Sequence, residues 1–216
     1  RARQAGEEAL LPDGRIMPLN DTWASDRRAP LSESVSRLWP HMGHAILGAG
    51  TGETQFQVHI NWNASYGHTH LDTGAILLFA HGKEMLSDIG YTHTRYRNWV
   101  INSASHNMVV VDQRSQPLKY NQPAMGGNLL FFDDADPHVQ LVDLDASPAY
   151  PECSIYRRRL LHVHLREGFD YVVDCFDVAG GATHDFFLHG SADEPGTLQT
   201  AIELHEPVAS LVPDWG

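Results

Sequence analysis

The side chains best suited to chemistry lie in one short stretch, Tyr66–Gly74, which reads YGHTHLDTG. It holds two histidines, His68 and His70, two positions apart, and an acid, Asp72, follows them. On an extended chain such histidines point to the same side, because side chains alternate with a period of two. Two imidazoles on one face can bind one metal ion, or one can bind a metal while the other contacts a substrate. The stretch predicts a functional site and leaves both arrangements open.

Two further residues can complete a metal site with one histidine of this pair. Asp88 lies at the end of a predicted strand, and His106 lies at the start of another. Zn²⁺ accepts imidazole nitrogen and carboxylate oxygen, so the three side chains form a suitable ligand set. A straight hairpin would separate His70 from Asp88 by roughly 16–20 Å at the rise of a strand. We therefore expect a bend or bulge at Asp72-Thr73-Gly74, where glycine permits it.

The loop after Asp88 offers residues suited to acid–base work. It contains Tyr91 and Tyr96 together with Arg95 and Arg97. A phenol can act as a general acid or base when neighbouring charge activates it, and arginines can hold a carboxylate. The alternative interpretation is that these side chains only pack over the edge of a sheet.

The elements that must position these residues are mostly strands. From residue 46 onward, short apolar segments alternate and are separated by turns, and helical periodicity is almost absent. Eight or more sequential strands joined by short turns favour an all-β fold, an antiparallel β-sandwich. The predicted strands cover residues 54–62, 75–80, 84–89, 106–112, 128–133, 138–144, 156–165, 169–178 and 184–189.

Residues 1–45 differ from the rest of the chain. Residues 1–11 have a composition typical of the end of a helix, which the turn residues of Pro12-Asp13-Gly14 would stop. The remainder contains several prolines and no clear period. We therefore predict two regions: 1–45, the end of a preceding helical domain followed by an irregular linker, and 46–216, the antiparallel β-sandwich domain.

A second pair of histidines, His162 and His164, lies in a basic strand, on the same face as Tyr156 and Arg158. This pattern suits a solvated or interface-facing sheet, and we assign no metal to it.

The net charge of −12, from 27 acids against 15 bases, argues against a nucleic-acid-binding protein and against docking on an anionic membrane. No apolar run approaches the roughly 20 residues of a membrane span, and no N-terminal signal peptide is visible. Two cysteines are too few for a disulfide scaffold.

Several motifs occur together in a fixed order: GHTHLD at 67–72, LSDIG at 86–90, ASHNMVVVD at 104–112, VDCFDV at 173–178 and GGATHDFFLHG at 180–190. As a set they resemble the C-terminal β-sandwich of the heparinase II/III-like polysaccharide lyases, a group with relatives that act on alginate. The LPDG segment at 11–14 resembles the linker that leaves the preceding domain.

The resemblance implies that an N-terminal α/α toroid precedes the sandwich, with the active site between the two. It implies a structural zinc ion on His70, Asp88 and His106, with His68 facing the substrate cleft. It further implies that Tyr96 or Tyr91 contributes to acid–base work.

The implied chemistry is β-elimination on a uronic acid within an acidic polysaccharide or oligosaccharide. The implied location is periplasmic or secreted. Much of the catalytic apparatus would come from the toroid, so we expect no lyase activity from this chain alone. The sequence leaves the oligomeric state open.

Two alternatives belong to other classes. His68-x-His70 is similar to the paired histidines of cupin-like metal-dependent oxygenases and isomerases, although Gly74 occupies the region where that pattern has a glutamate. The second alternative is a non-catalytic carbohydrate-binding or structural sandwich. The acidic net charge favours it mildly, because polyuronates are polyanions.

Overall fold

The computed structural model describes residues 9–23, 25–63, 68–117, 126–197 and 199–205. Within these ranges the chain forms eleven strands: β1 (Arg37–Trp39), β2 (His44–Ala49), β3 (Phe56–Asn61), β4 (Ile76–Ala80), β5 (Lys83–Leu86), β6 (Val109–Val111), β7 (Asn128–Asp136), β8 (Val139–Asp145), β9 (Ile155–Arg166), β10 (Phe169–Ala179) and β11 (His184–Phe186). One short α-helix, α1, spans Arg97–Val100. No helix in the described part of the chain is long and apolar enough to cross a membrane. Tyr66 and Gly67 of the histidine stretch, and residues 1–8 of the predicted helix end, lie outside the described residues.

The strands form antiparallel sheets, which confirms the predicted fold class. The first sheet has the order β1-β2-β3-β4-β5 and the second the order β10-β9-β8-β7, while β11 and β6 form a small third sheet. Two hairpins join strands that the sequence predicts: β4–β5, with a turn at His81-Gly82, and β9–β10, with a turn at Glu167-Gly168. Both turns have glycine at positive φ, a conformation that it adopts without steric cost.

The hydrophobic core lies between the first and second sheets. Phe56, Val58 and Ile60 alternate along β3 and point inward, where they join Tyr156 and Leu160 of β9. Burial of each such side chain contributes roughly 1.5–3 kcal/mol. The alternation predicted for this segment is therefore confirmed, and it fixes which side of the first sheet faces the second.

The other side of the first sheet is covered by the N-terminal segment, residues 9–23 and 25–36. Gln57 Nε2 donates to Ser34 Oγ at 3.1 Å, and buried Arg15 pairs with buried Glu84 at 2.8 Å. Leu11 packs beside two apolar residues of β4. The first sheet begins at β1, so the predicted start of the sandwich at residue 46 falls inside β2. Sequence reasoning missed this short edge strand, because residues 15–45 contain several prolines and show no clear period.

The face of β9 that carries the second histidine pair turns into the sandwich, contrary to our expectation of a solvated or interface-facing sheet. Tyr156, Arg158 and His162 are fully buried and point into the sandwich. The His162 ring stacks on Phe56, with the two centroids 4.5 Å apart, and its Nε2 lies 2.7 Å from Asp170. Alternation showed which residues share a face of β9, but the partners that allow this polar face to be buried lie on neighbouring strands.

Candidate metal centre

A sharp turn between residues 72 and 75 shapes the loop that carries the histidine pair. Gly74 has φ +86°, and the backbone N–H of Ala75 donates to the carbonyl of Asp72 at 2.8 Å. The N–H of Gly74 donates to the carbonyl of Asn61 at 2.8 Å, which fixes the turn against the end of β3. The bend expected at this point is therefore present, and it directs the loop toward the end of β5.

Four side chains meet beside this turn: His70, Asp72, Asp88 and His106. One possible ligand atom from each lies within 4.8 Å of all the others. His70 Nδ1 is 3.2 Å from His106 Nε2, which in turn is 3.5 Å from a carboxylate oxygen of Asp88. The structure thus brings together the three predicted ligands and adds Asp72. Nitrogen and oxygen donors of this kind suit a tetrahedral zinc site.

The hydrogen bonds around the cluster fit a bound cation. Asp72 Oδ2 accepts a bond from Asn61 Nδ2 at 2.8 Å, whereas its buried Oδ1 has no hydrogen-bond partner among the described residues. Leaving such a buried oxygen unpaired is costly unless a bound ion or water satisfies it. His106 Nδ1 donates to the carbonyl of Asn102 at 2.9 Å, so its Nε2 presents a lone pair to the cluster. These residues could therefore hold a metal ion.

Burial disfavours the charged forms of Asp88 and His70 when no cation is bound. Burial raises the pKa of Asp88 to about 6, an effect that His106 opposes and Asp72 reinforces. Burial likewise lowers the pKa of His70 to about 4, although nearby Asp72 opposes this. A divalent cation would supply the positive charge that these buried acids lack.

Sequence reasoning missed Asp72 as a member of the cluster. The signal was its position two residues after His70, the same spacing that marked the histidine pair.

Buried Arg158 of the second sheet forms hydrogen bonds with the backbone of two loops that carry candidate metal ligands. Its Nη1 donates to the carbonyls of Gly74 at 2.8 Å and Asn107 at 2.6 Å, close in sequence to Asp72 and His106. The guanidinium also forms two bonds with Asp174, at 2.9 and 2.6 Å. One side chain therefore links the second sheet to both loops, a role that the sequence did not reveal.

The structure separates the two histidines of the pair. The side chain of His68 is 86% exposed, whereas that of His70 is fully buried. The expectation that both rings share a face assumed an extended chain, but His68 has φ +72°, in the left-handed region. The two rings therefore diverge, one toward the surface and one into the cluster.

Asp21, from the N-terminal segment, contacts the rings of both His68 and His70. Its carboxylate lies 2.9 Å from His68 Nδ1, 3.3 Å from His70 Nε2 and 2.5 Å from Arg97 Nη2. Sequence reasoning did not identify Asp21, because it lies in a segment without periodicity, far from the histidines along the chain.

The two candidate tyrosines lie on the loop that leads to Arg97. Tyr91 packs edge-on against Trp23, with ring centroids 4.6 Å apart, and the Arg97 guanidinium lies over its ring. Tyr96 is exposed, and its hydroxyl accepts a bond from Arg95 at 2.8 Å. Tyr91 thus packs against the N-terminal segment, while Tyr96 presents its ring to solvent.

Comparisons with known proteins agree with this architecture. The family profile described as "Heparinase II/III-like, C-terminal" matches residues 33–205. No protein of curated function matches the sequence significantly. Among solved structures, heparinase III is similar over 84% of this chain and 34% of its own, with 18% identity and a TM-score of 0.63.

Heparan sulfate lyase HepC from Pedobacter heparinus is similar over 80% of this chain and 31% of its own, with 16% identity and a TM-score of 0.61. At these identities the likeness shows the fold. The chain spans about a third of the length of the solved relatives, 34% and 31% for these two.

Proposed function

This chain belongs to the heparinase II/III-like family, and from that premise we propose that it is the β-sandwich part of a polysaccharide lyase. In this proposal the whole enzyme cleaves a uronic-acid-containing polysaccharide or oligosaccharide by β-elimination. The observation that carries it is the exposed His68, joined through one carboxylate to a buried candidate metal centre. The family match supports a lyase over the cupin-like alternative.

The metal that we propose is zinc, held by His70, Asp88 and His106 with Asp72 as a fourth ligand. Two imidazoles and two carboxylates are donors that zinc accepts. When bound, zinc would neutralise the buried acids and tie three separate loops together, which is a structural role. The metal-binding residues would thereby fix the position of the loop that presents His68.

β-Elimination requires two proton transfers at the substrate. The bond from C5 to hydrogen and the bond from C4 to O4 break, a double bond forms between C4 and C5, and O4 takes a proton. We propose that His68 contacts the uronate and takes part in proton transfer, because its ring is exposed. Tyr96, or alternatively Tyr91, is proposed as the second group. Exposed Arg95 beside Tyr96 can neutralise the substrate carboxylate, which makes the C5 proton more acidic.

The remaining groups would come from a partner domain. We propose an N-terminal α/α toroid, which the segment before β1 would connect to the sandwich. The active site would lie between the toroid and the sandwich, and the enzyme would act in the periplasm or outside the cell, where such polysaccharides occur.

The test is the ultraviolet absorbance of the unsaturated product during incubation with uronate polymers. A protein that carries both domains is compared with its H68A, Y96F and Y91F variants, and with H81A as a control in the exposed β4–β5 turn. We expect H68A to lose about 10²–10⁴-fold in turnover, the usual range for an acid–base group, and H81A to lose none.

Other outcomes would change the proposal in defined ways. Product formation by the present chain alone would contradict the division of the active site between two domains. Unchanged turnover in H68A and in both tyrosine variants would leave a scaffold or a carbohydrate-binding sandwich.

A further inference from the structure

Asp21 has more charged and polar partners at the candidate site than its place in an irregular segment suggests. Its side chain is only 8% exposed, yet it lies within 3.3 Å of His68, His70 and Arg97. An ionised carboxylate only accepts hydrogen bonds. A partner that forms a hydrogen bond with it must therefore supply the hydrogen.

For His70 the contact with Asp21 favours one ring nitrogen as the free one. Nε2 faces the carboxylate of Asp21 at 3.3 Å, while Nδ1 points into the metal cluster, 3.2 Å from His106 Nε2. Arg97 Nη1 also lies 3.3 Å from Nε2, while Nη2 of the same guanidinium binds Asp21. We assign the Nε2 hydrogen to the bond with Asp21, because the opposite choice would direct a hydrogen on Nδ1 into the cluster of candidate ligands. A hydrogen on Nε2 leaves the lone pair on Nδ1. Histidines that ligate metals usually donate their other N–H to an acceptor in this way.

For His68 the same carboxylate selects the opposite nitrogen. Nδ1 lies 2.9 Å from Asp21, so the hydrogen resides on Nδ1 and the lone pair on Nε2, on an exposed ring. The residue is also strained, because a left-handed backbone costs about 1–2 kcal/mol for a residue with a Cβ atom. The backbone N–H of Asp21 donates to the carbonyl of His68 at 3.2 Å and helps to hold this conformation.

We infer that Asp21 is a positioning residue that sets the tautomers of both histidines. It gives His68 a free Nε2 at the surface and His70 a free Nδ1 in the candidate metal centre. The His70 half of this inference rests on the proposed function, whereas the His68 half stands without any metal.

The test reads the tautomers directly. The full chain is labelled with ¹⁵N-histidine, and long-range ¹H–¹⁵N spectra are recorded for the metal-free wild type, D21N and D26N. The signals are assigned by their loss in H68Q and H70Q. Asp26 is an exposed acid of the same N-terminal segment, so D26N makes the same charge change away from the rings.

We expect His68 to carry its hydrogen on Nδ1 in the wild type and in D26N. The amide of D21N offers one acceptor oxygen for two rings, so we expect His68 to shift toward the Nε2–H form. D21E, which restores a carboxylate, should recover the Nδ1–H form at least in part. A wild-type His68 with its hydrogen on Nε2, or a D21N spectrum like that of the wild type, would overturn the inference.

A second measurement tests the His70 half. Zinc affinity is measured by competition with a chelator, and D21N should bind zinc about 10–100-fold more weakly than the wild type and D26N. Equal zinc affinity in D21N would overturn this half. If the wild type binds no zinc, the proposed metal function fails, and the His68 tautomer still decides the role of Asp21.

Discussion

Replacing Asp72 by asparagine should stabilise the metal-free protein and remove most of the stability that the protein gains from zinc. Asp72 and Asp88 are two buried acids in one cluster, and Asp72 Oδ1 has no hydrogen-bond partner. Asparagine keeps the size of the side chain and an oxygen that can accept the bond from Asn61. It removes one negative charge and one metal ligand.

The magnitudes follow from the distances in the cluster. Ligand atoms of Asp72 and Asp88 lie within 4.8 Å of each other. Two unit charges at that separation repel by about 3.5 kcal/mol at an effective dielectric constant of about 20. Since burial raises the pKa of Asp88 to about 6, its charge is partly suppressed at mildly acidic pH and the repulsion is fully present only above that value. D72N should therefore stabilise the metal-free protein by roughly 1–3 kcal/mol near pH 8.

Zinc should offset this gain in stability. A metal ion at one hundred times its Kd stabilises the folded state by about 2.7 kcal/mol, and a hundredfold loss of affinity reduces this gain to about 0.4 kcal/mol. The gain on adding zinc should therefore nearly vanish in D72N.

Urea denaturation at pH 8, with zinc and with a chelator, measures both effects, and D26N serves as the control. Equal destabilisation of D72N under the two conditions would show that Asp72 serves only Asn61, and the metal assignment would be wrong.

Three further perturbations test how the site is supported. Arg158→Met leaves a partly exposed acid and two carbonyls without their donor and should lower the free energy of unfolding by about 3–5 kcal/mol. The control R159M, at a half-exposed pair, should cost under about 1 kcal/mol in the same urea titration. Gly74→Ala and Gly82→Ala should each cost about 1–2 kcal/mol because both glycines have positive φ, but chelator competition should show weaker zinc binding only for G74A. Burial lowers the pKa of His59 to about 3, so between about pH 6.5 and 3 the unfolded chain binds a proton that the folded chain excludes, and stability falls by about 1.4 kcal/mol per pH unit as the pH drops. H59Q should therefore flatten the pH dependence of the urea midpoint below pH 6.5, and an unchanged slope would contradict the burial argument.

Much of the fold could be predicted because local chemistry decided it. Strand positions followed from local features: the alternation of Phe56, Val58 and Ile60, and the glycine turns of the β4–β5 and β9–β10 hairpins. The bend at Gly74 was also predictable, since a straight hairpin could not have brought His70 near Asp88.

The rest depended on contacts between residues far apart in sequence. Alternation could not tell that the Arg158 side of β9 faces inward, because Asp174 and two loop carbonyls make that burial possible. His68 has a left-handed backbone, so the assumption of an extended chain was wrong at this position. The sequence could not predict this conformation, because the residue is not glycine. Asp21 could be found only from the three-dimensional structure.

The origin of Asp21 in a separate segment has a consequence for how the site comes apart. All four residues of the candidate metal centre belong to loops of the sandwich, whereas Asp21 lies in a segment laid on the outer side of the first sheet. A local opening of that segment, of the kind that hydrogen exchange detects, would release His68 and uncover one nitrogen of His70 while the other ligands stay in place. The contacts of Asp21 with the two histidines can therefore be lost while the four candidate metal ligands stay together.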